Sequence, residues 1–309
     1  MHPALSVIVF TTLSGAGYGL MAWVALAILA DPAASTRTST TAGLGLALLL
    51  VTAGLLSSVA HLGQPQRAWR AFSQWKTSWL SREGVMAVLT YLPVLALLSH
   101  PASGAVGVML SLAMIVLALS TVACTAMIYA SLAPIPAWRH AAVVPVYLGF
   151  ALLCGGLCWA TLEAPRANPG IPVLMSLAAV VAALKWRYWR DLDAAATLPS
   201  LGAAVGLPQR ELGVFERPHT EANYLTREMG FVLARRHAAQ LQRVALALFA
   251  AVPMLALPMA WWLVPEQTAA PFGVAAISAL LGAGVERWLF FAQARHVVMQ
   301  YYGTPAAPG

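Results

Sequence analysis

Eight long stretches of this chain are apolar and almost free of charge, and that feature decides what it can fold into. At about 1.5 Å of rise per residue, each is long enough to cross about 30 Å of hydrocarbon as a helix. In lipid, backbone N–H and C=O groups must be satisfied by helices or closed barrels. These continuous Leu/Ala/Val runs lack the alternation of a barrel strand. The sequence therefore predicts an all-α polytopic membrane protein with spans at 5–29, 42–61, 83–99, 104–130, 141–162, 171–188, 244–264 and 272–294, joined by short interfacial helices. The whole of 1–309 reads as a single integral membrane domain, with a loop at 189–243. Only 9% of the residues are charged, against about 25% in a soluble domain. The first span is too long for a cleaved signal peptide and has no basic n-region, so it reads as a helix.

Lys and Arg in short loops stay on the cytoplasmic side. Sixteen of the 18 basic residues fall on one side of the predicted bundle. They run from Arg67, Arg70, Lys76 and Arg82 through Arg139, Lys185, Arg187 and Arg190 to Arg287 and Arg295. Only Arg37 and Arg166 fall on the other. This asymmetry places both termini, and residues 61–85, in the cytoplasm. The net charge of +7 then reflects topology and a surface of anionic lipid, with no nucleic acid implied.

Where the chain stops being apolar it becomes informative. In "HLGQPQRAWRAFSQWKTSWLSREGV", residues 61–85, Gln64 and Pro65 suit a helix start, and Trp69, Phe72, Trp75 and Trp79 recur three or four residues apart. This predicts a short interfacial helix with its aromatic face in the headgroup region and Arg67, Arg70 and Gln74 outward, to water or to a protein partner. Between 221 and 243, Tyr224, Leu225, Met229 and Val232 recur at helical spacing, which predicts a second amphipathic segment. It reads equally as a connector resting on lipid and as a docking surface.

His61 closes the second span and Glu83 opens the third, so both return to the same depth. Ionisable groups at a membrane boundary are costly unless paired or hydrated. A quinone becomes a quinol by taking two electrons and two protons, and its site needs a hydrogen-bond partner and a proton carrier near water. A histidine with a nearby carboxylate meets both needs; helix capping at the interface is the plainer alternative. Arg82, beside Glu83, and His296, near the end of the last span, are further candidates for that site. Glu286 and Arg287 lie well inside the last apolar run, as a structural ion pair or part of a proton route.

Smaller features read as packing. Gly15 and Gly19, four apart, suit a close helix crossing. Thr121, Cys124, Thr125 and Tyr129 form a polar row suited to interhelical hydrogen bonds, and Cys154 and Cys158 share one helix face. With three cysteines, all in spans, no iron–sulfur cluster is expected in this chain, and no histidine sits mid-span to ligate haem.

The segment "HLGQPQRAWRAFSQWKTSWLSRE", the eight-span layout and "GVERWLFFAQARHVV" together resemble the membrane anchor subunits of dimethyl sulfoxide reductase-type molybdoenzymes. The resemblance implies a quinone, menaquinone or ubiquinone, held by His61 and Glu83. It also implies two partners, an iron–sulfur electron-transfer subunit and a molybdopterin catalytic subunit, with Arg67 and Arg70 assigned to docking. The arginine distribution turns the partner face to the cytoplasm, which is similar to the cytoplasmic sulfite-oxidising branch of that family. A transporter would show discontinuous spans or polar groups at the midplane, of which Glu286 and Arg287 are the chief examples; a non-redox assembly scaffold is the other alternative.

Overall fold

Each of the eight apolar runs is a helix in the computed structural model, which describes residues 4–59, 64–100, 104–164, 170–194, 237–260, 262 and 269–298, with 202, 206, 207, 209, 210 and 212 in the long loop. The spans are α1 (Leu5–Ala30), α2 (Thr38–Val59), α3 (Trp79–Ser99), α4 (Gly104–Ala130), α5 (Val143–Leu162), α6 (Ile171–Ala194), α7 (Ala238–Met259) and α8 (Ala269–Ala292). No strand occurs among the described residues. α6 continues to Ala194 and α7 begins at Ala238, so the loop is shorter at both ends than hydropathy suggests. The predicted amphipathic segment around Tyr224, Leu225, Met229 and Val232 lies outside the described residues.

Local chemistry sets several helix ends and one irregularity. The Ser78 hydroxyl accepts from the Ser81 amide at the start of α3, an N-cap that satisfies one free donor of the first turn. α7 widens into a π-turn over Ala247–Ala251, just before Pro253. Proline lacks the N–H that would bond the carbonyl four residues back and its ring crowds that carbonyl, so the wider turn relieves the clash.

The bundle is built around α1 and α5. α1 packs on α2, α4, α5 and α8, and α5 packs in turn on α4, α6 and α8. α3 rests chiefly on α4, and α7 on α8 and α6. The core crossing of α1 and α5 depends on glycine. A methyl group on Gly19 would stand 1.7 Å from the Ala151 carbonyl oxygen, and one on Gly155 would stand 2.2 Å from the Leu20 amide nitrogen. Gly15 does not share in this crossing, because a Cβ there would meet nothing within 4 Å. The close approach therefore pairs Gly19 with α5, and Gly15 faces open space.

Eight spans put the start of α1 and the end of α8 on one side of the bundle, together with the ends of α2, α4 and α6 and the starts of α3, α5 and α7. Arg67, Arg70, Lys76, Arg139, Arg187, Arg190 and Arg243 gather there, and we call it the basic face. Two of the basic residues assigned to it by sequence are not loop charges at all. Lys185 is 1% exposed within α6 and Arg287 is 2% exposed within α8.

At the opposite face, Arg37 forms ion pairs with Asp31 and with Glu163, and Ser39 donates to Glu163. This network ties the α1–α2 turn to the end of α5. It meets the hydrogen-bonding demand of the buried Glu163 carboxylate.

Candidate functional site

α3 brings Glu83 into the bundle about one turn from its start. The carboxyl is 5% exposed, and the Thr125 hydroxyl of α4 donates to it. The same hydroxyl stands 3.0 Å from the Thr121 carbonyl oxygen, and a hydroxyl has a single proton to donate. With Glu83 ionised, Thr125 turns that proton to the carboxylate. With Glu83 protonated, the carboxyl donates to Thr125, whose own O–H turns to donate to the Thr121 carbonyl. The geometry serves both charge states.

Two members of the polar row of α4, Thr121 and Thr125, make the interhelical bonds its spacing suggests. Thr121 meets Thr90 of α3 at 3.5 Å, while Tyr129 joins an aromatic cluster with Trp138, Tyr147, Phe290 and Phe291.

His61 lies outside the described residues. Arg82 closes the entry to α3. Its Nε donates to the Trp75 carbonyl at 3.0 Å and its Nη2 to the Lys76 carbonyl at 2.6 Å, and the guanidinium lies over the Trp79 ring. His296 follows α8, its Nδ1 accepting from the Val298 amide at 3.1 Å. The next residue, Val297, donates to the Pro134 carbonyl, so this segment is tied to the α4–α5 connection. Burial holds the His296 imidazole below its ordinary value of 6.5.

The interfacial helix is shorter and tighter than the aromatic spacing implies. Pro65–Phe72 is a 3-10 helix, Trp75 lies in the turn beyond it and Trp79 is the first residue of α3. Trp69, Arg70 and Trp75 are carried on the basic face, where Trp69 and Trp75 are exposed. Phe72 also reaches back to α3, where its ring leaves little room beside Gly84.

Deeper in the same half of the bundle lies a second set of charges. Glu286 of α8 is fully buried between Lys185 Nζ at 2.6 Å and Arg287 Nη1 at 2.9 Å. Two cations and one carboxylate leave a surplus positive charge in a region where bare charge is costly. Aromatic faces share that burden. Arg287 lies 3.5 Å from the centre of the Tyr147 ring, and Lys185 lies 4.0 Å from that of Tyr188 and 4.7 Å from that of Trp189. Glu286 and Arg287 stand out in the sequence of α8, whereas Lys185 sits near the end of the predicted sixth span and reads there as a loop charge. Its role emerges only when α6 and α8 are brought together.

Two cavities join these groups. One, of about 10 Å3, is lined by Thr11, Thr12, Tyr18, Thr125, Tyr147 and Arg287, among others. The other, also about 10 Å3, is lined by Tyr147, Lys185, Tyr188, Glu286 and Arg287 with apolar neighbours. Each is close to the volume one water requires. Among the described residues no group of three His, Cys, Asp or Glu could hold a metal ion.

The family model for the DMSO reductase anchor subunit (DmsC) matches residues 1–293. A sulfite dehydrogenase subunit from Allochromatium vinosum is 31% identical over 329 aligned residues, covering 99% of this chain and 100% of the relative. With the match running through all eight helices and both charged clusters, the chain belongs to the DMSO reductase anchor subunit family.

Proposed function

We propose that this chain is the quinone-binding membrane anchor of a molybdopterin oxidoreductase complex, passing electrons between an iron–sulfur partner subunit and the quinone pool. The observation that carries the proposal is Glu83, an ionisable carboxyl buried within about one turn of the basic face and held by Thr125 in a geometry that suits it with or without its proton. A quinone carbonyl needs such a neighbour, because each oxygen accepts a proton when the ring is reduced. The cavity lined by Thr125, about 10 Å3, has room for a water but not for a quinone ring. The ring is therefore received at the basic-face end of α3, on the side of the α2–α3 connection in which His61 falls. α2 and α3 hardly touch each other, which leaves that side open to lipid, the phase in which a quinone travels.

His61 is the second partner of the quinone in this reading. Arg82 shapes the entry of α3, and His296 borders the same face. Arg67 and Arg70, in the segment that exposes Trp69 and Trp75, dock the iron–sulfur partner, and the molybdopterin partner sits beyond it. The similarity to a sulfite dehydrogenase subunit favours sulfite oxidation as the reaction of the complex over reduction of dimethyl sulfoxide. The basic face is cytoplasmic, in a bacterial cytoplasmic membrane, and the partners are cytoplasmic with it.

The test is Glu83→Gln in the purified complex. The amide keeps the size of the side chain and a hydrogen bond to Thr125 but cannot carry the proton. Quinone-linked turnover should fall about 100-fold or more while both partner subunits stay bound. Unchanged turnover would remove Glu83 from the chemistry and leave the chain as a scaffold.

A further inference from the structure

Quinone reduction takes two electrons, here from a one-electron carrier of the partner subunit, and two protons, one for each carbonyl oxygen. Quinol oxidation releases both. Glu83 holds only one proton at a time, so each turnover needs a further supply or sink.

The interior offers one. Three phenol hydroxyls, of Tyr18, Tyr147 and Tyr188, are buried without a hydrogen-bond partner among the described residues, and their side chains are 1%, 3% and 2% exposed. Tyr18 lines the first cavity, Tyr188 the second, and Tyr147 both. Thr12, whose hydroxyl is likewise unmet among the described residues, lines the first. Buried polar groups are nearly always satisfied, by ordered water where the protein supplies nothing. Unmet hydroxyls on residues that line two water-sized cavities therefore describe water sites. The first cavity begins at Thr125, which holds Glu83, and the second ends at the Lys185–Glu286–Arg287 cluster.

From there a ring contact and a polar pair lead to the surface on the side where the path began. Tyr188 packs edge-on against His140, with ring centres 5.3 Å apart. His140 Nε2 lies 3.2 Å from Asp191 Oδ2, and its Nδ1 accepts from the Ala142 amide. That acceptor role puts the proton of the neutral ring on Nε2, toward Asp191. Arg187 and Arg190 flank the same carboxylate at 3.6 Å each. His140 is 21% exposed and Asp191 33%, so the pair meets water.

We propose that protons pass between Glu83 and the basic face along a lateral, water-bridged path inside the bundle: Thr125, the first cavity, Tyr147, the Lys185–Glu286–Arg287 cluster, Tyr188 and the surface pair His140–Asp191. The path rests on the quinone reading of Glu83 and deepens it. It gives Glu286 a place in proton movement and makes His140 a proton-exchange residue that touches no quinone. Both ends of the path lie in the basic half, so the protons return to the face they came from.

The experiment measures quinone-linked turnover of the intact complex in H2O and D2O for wild type, Tyr147→Phe and His140→Ala, with Glu83→Gln alongside. Tyr147→Phe keeps the ring over Arg287 and removes the hydroxyl of the residue that lines both cavities. Its turnover should fall on the order of tenfold with a larger solvent isotope effect, less than the loss at Glu83 because direct exchange there persists. His140→Ala should slow turnover similarly, and added imidazole should restore most of the rate, which a merely structural loss would not allow. Wild-type turnover in either variant overturns the path, as does a slow His140→Ala that ignores imidazole. If Glu83→Gln is inactive while these two variants are normal, the path alone fails. If Glu83→Gln is fully active, the quinone reading fails first.

Discussion

Thr125 and Glu83 form a buried hydrogen bond that joins α4 to α3 just beneath the basic face. The bond crosses between two helices at the carboxyl on which the quinone reading rests, so the pair makes the clearest test of the site.

Thr125→Val preserves the branched shape and removes the hydroxyl. A hydrogen bond to a charged group contributes about 1.5–3 kcal/mol, so quinone-linked turnover should fall about 10- to 100-fold, with Thr125→Ser close to wild type. A Val variant as fast as wild type would show that Glu83 needs no partner from α4.

The buried cluster predicts an asymmetry. Lys185→Met leaves Glu286 paired with Arg287, one charge against one. Glu286→Gln leaves two buried cations side by side and should cost about 3–5 kcal/mol. Combining Glu286→Gln with Lys185→Met removes one of those cations and should regain much of the loss. Thermal unfolding in detergent ranks the three variants. A Glu286→Gln protein as stable as Lys185→Met would contradict the charge balance.

The α1–α5 crossing sorts two neighbouring glycines. Gly19→Ala forces the helices apart, because its methyl overlaps the α5 backbone, whereas Gly15→Ala meets open space. Membrane accumulation of folded chain should drop sharply for Gly19→Ala and for Gly155→Ala and stay near wild type for Gly15→Ala. Equal loss at Gly15 would misplace the contact.

His296 should make the C-terminal segment sensitive to acid. Its pKa is lowered by burial, so the folded segment disfavours the protonated ring. The neutral ring's contribution is complete above the ordinary value of about 6.5 and is lost as pH falls through the lower folded value. A proton on Nδ1 also removes the acceptor of the Val298 amide. Amide hydrogen exchange at Val298 should therefore accelerate, relative to a His296→Gln control, as pH falls below that range. No difference between the two proteins would argue against the assignment.

Hydropathy makes the eight spans legible, with ends displaced by up to six residues at α6 and α7, because apolar length dominates insertion. It said little about which faces touch. α2 and α5 are similarly apolar, yet 28% of the α2 window is buried against 78% of that of α5. Lipid tails are as apolar as Leu, so a residue facing lipid and one facing a neighbouring helix look alike in the sequence. Glu83 was visible because a carboxyl at a span's edge is conspicuous. Its partner Thr125 is one of several hydroxyls in a polar row, and His140 falls between two predicted spans, where nothing in the sequence marks it out.

What the sequence by itself determined is the membrane-spanning helical class, the number of crossings and the charge asymmetry between faces, since each follows from local composition against water and lipid. The tertiary structure alone decided that Gly19 meets Gly155, that Lys185 leaves the loop charges to hold Glu286 two helices further along the chain, and that three tyrosines line two water-sized cavities. Those relations depend on which helix packs beside which, and that choice is made by side-chain shape and a few buried polar contacts distributed along the chain.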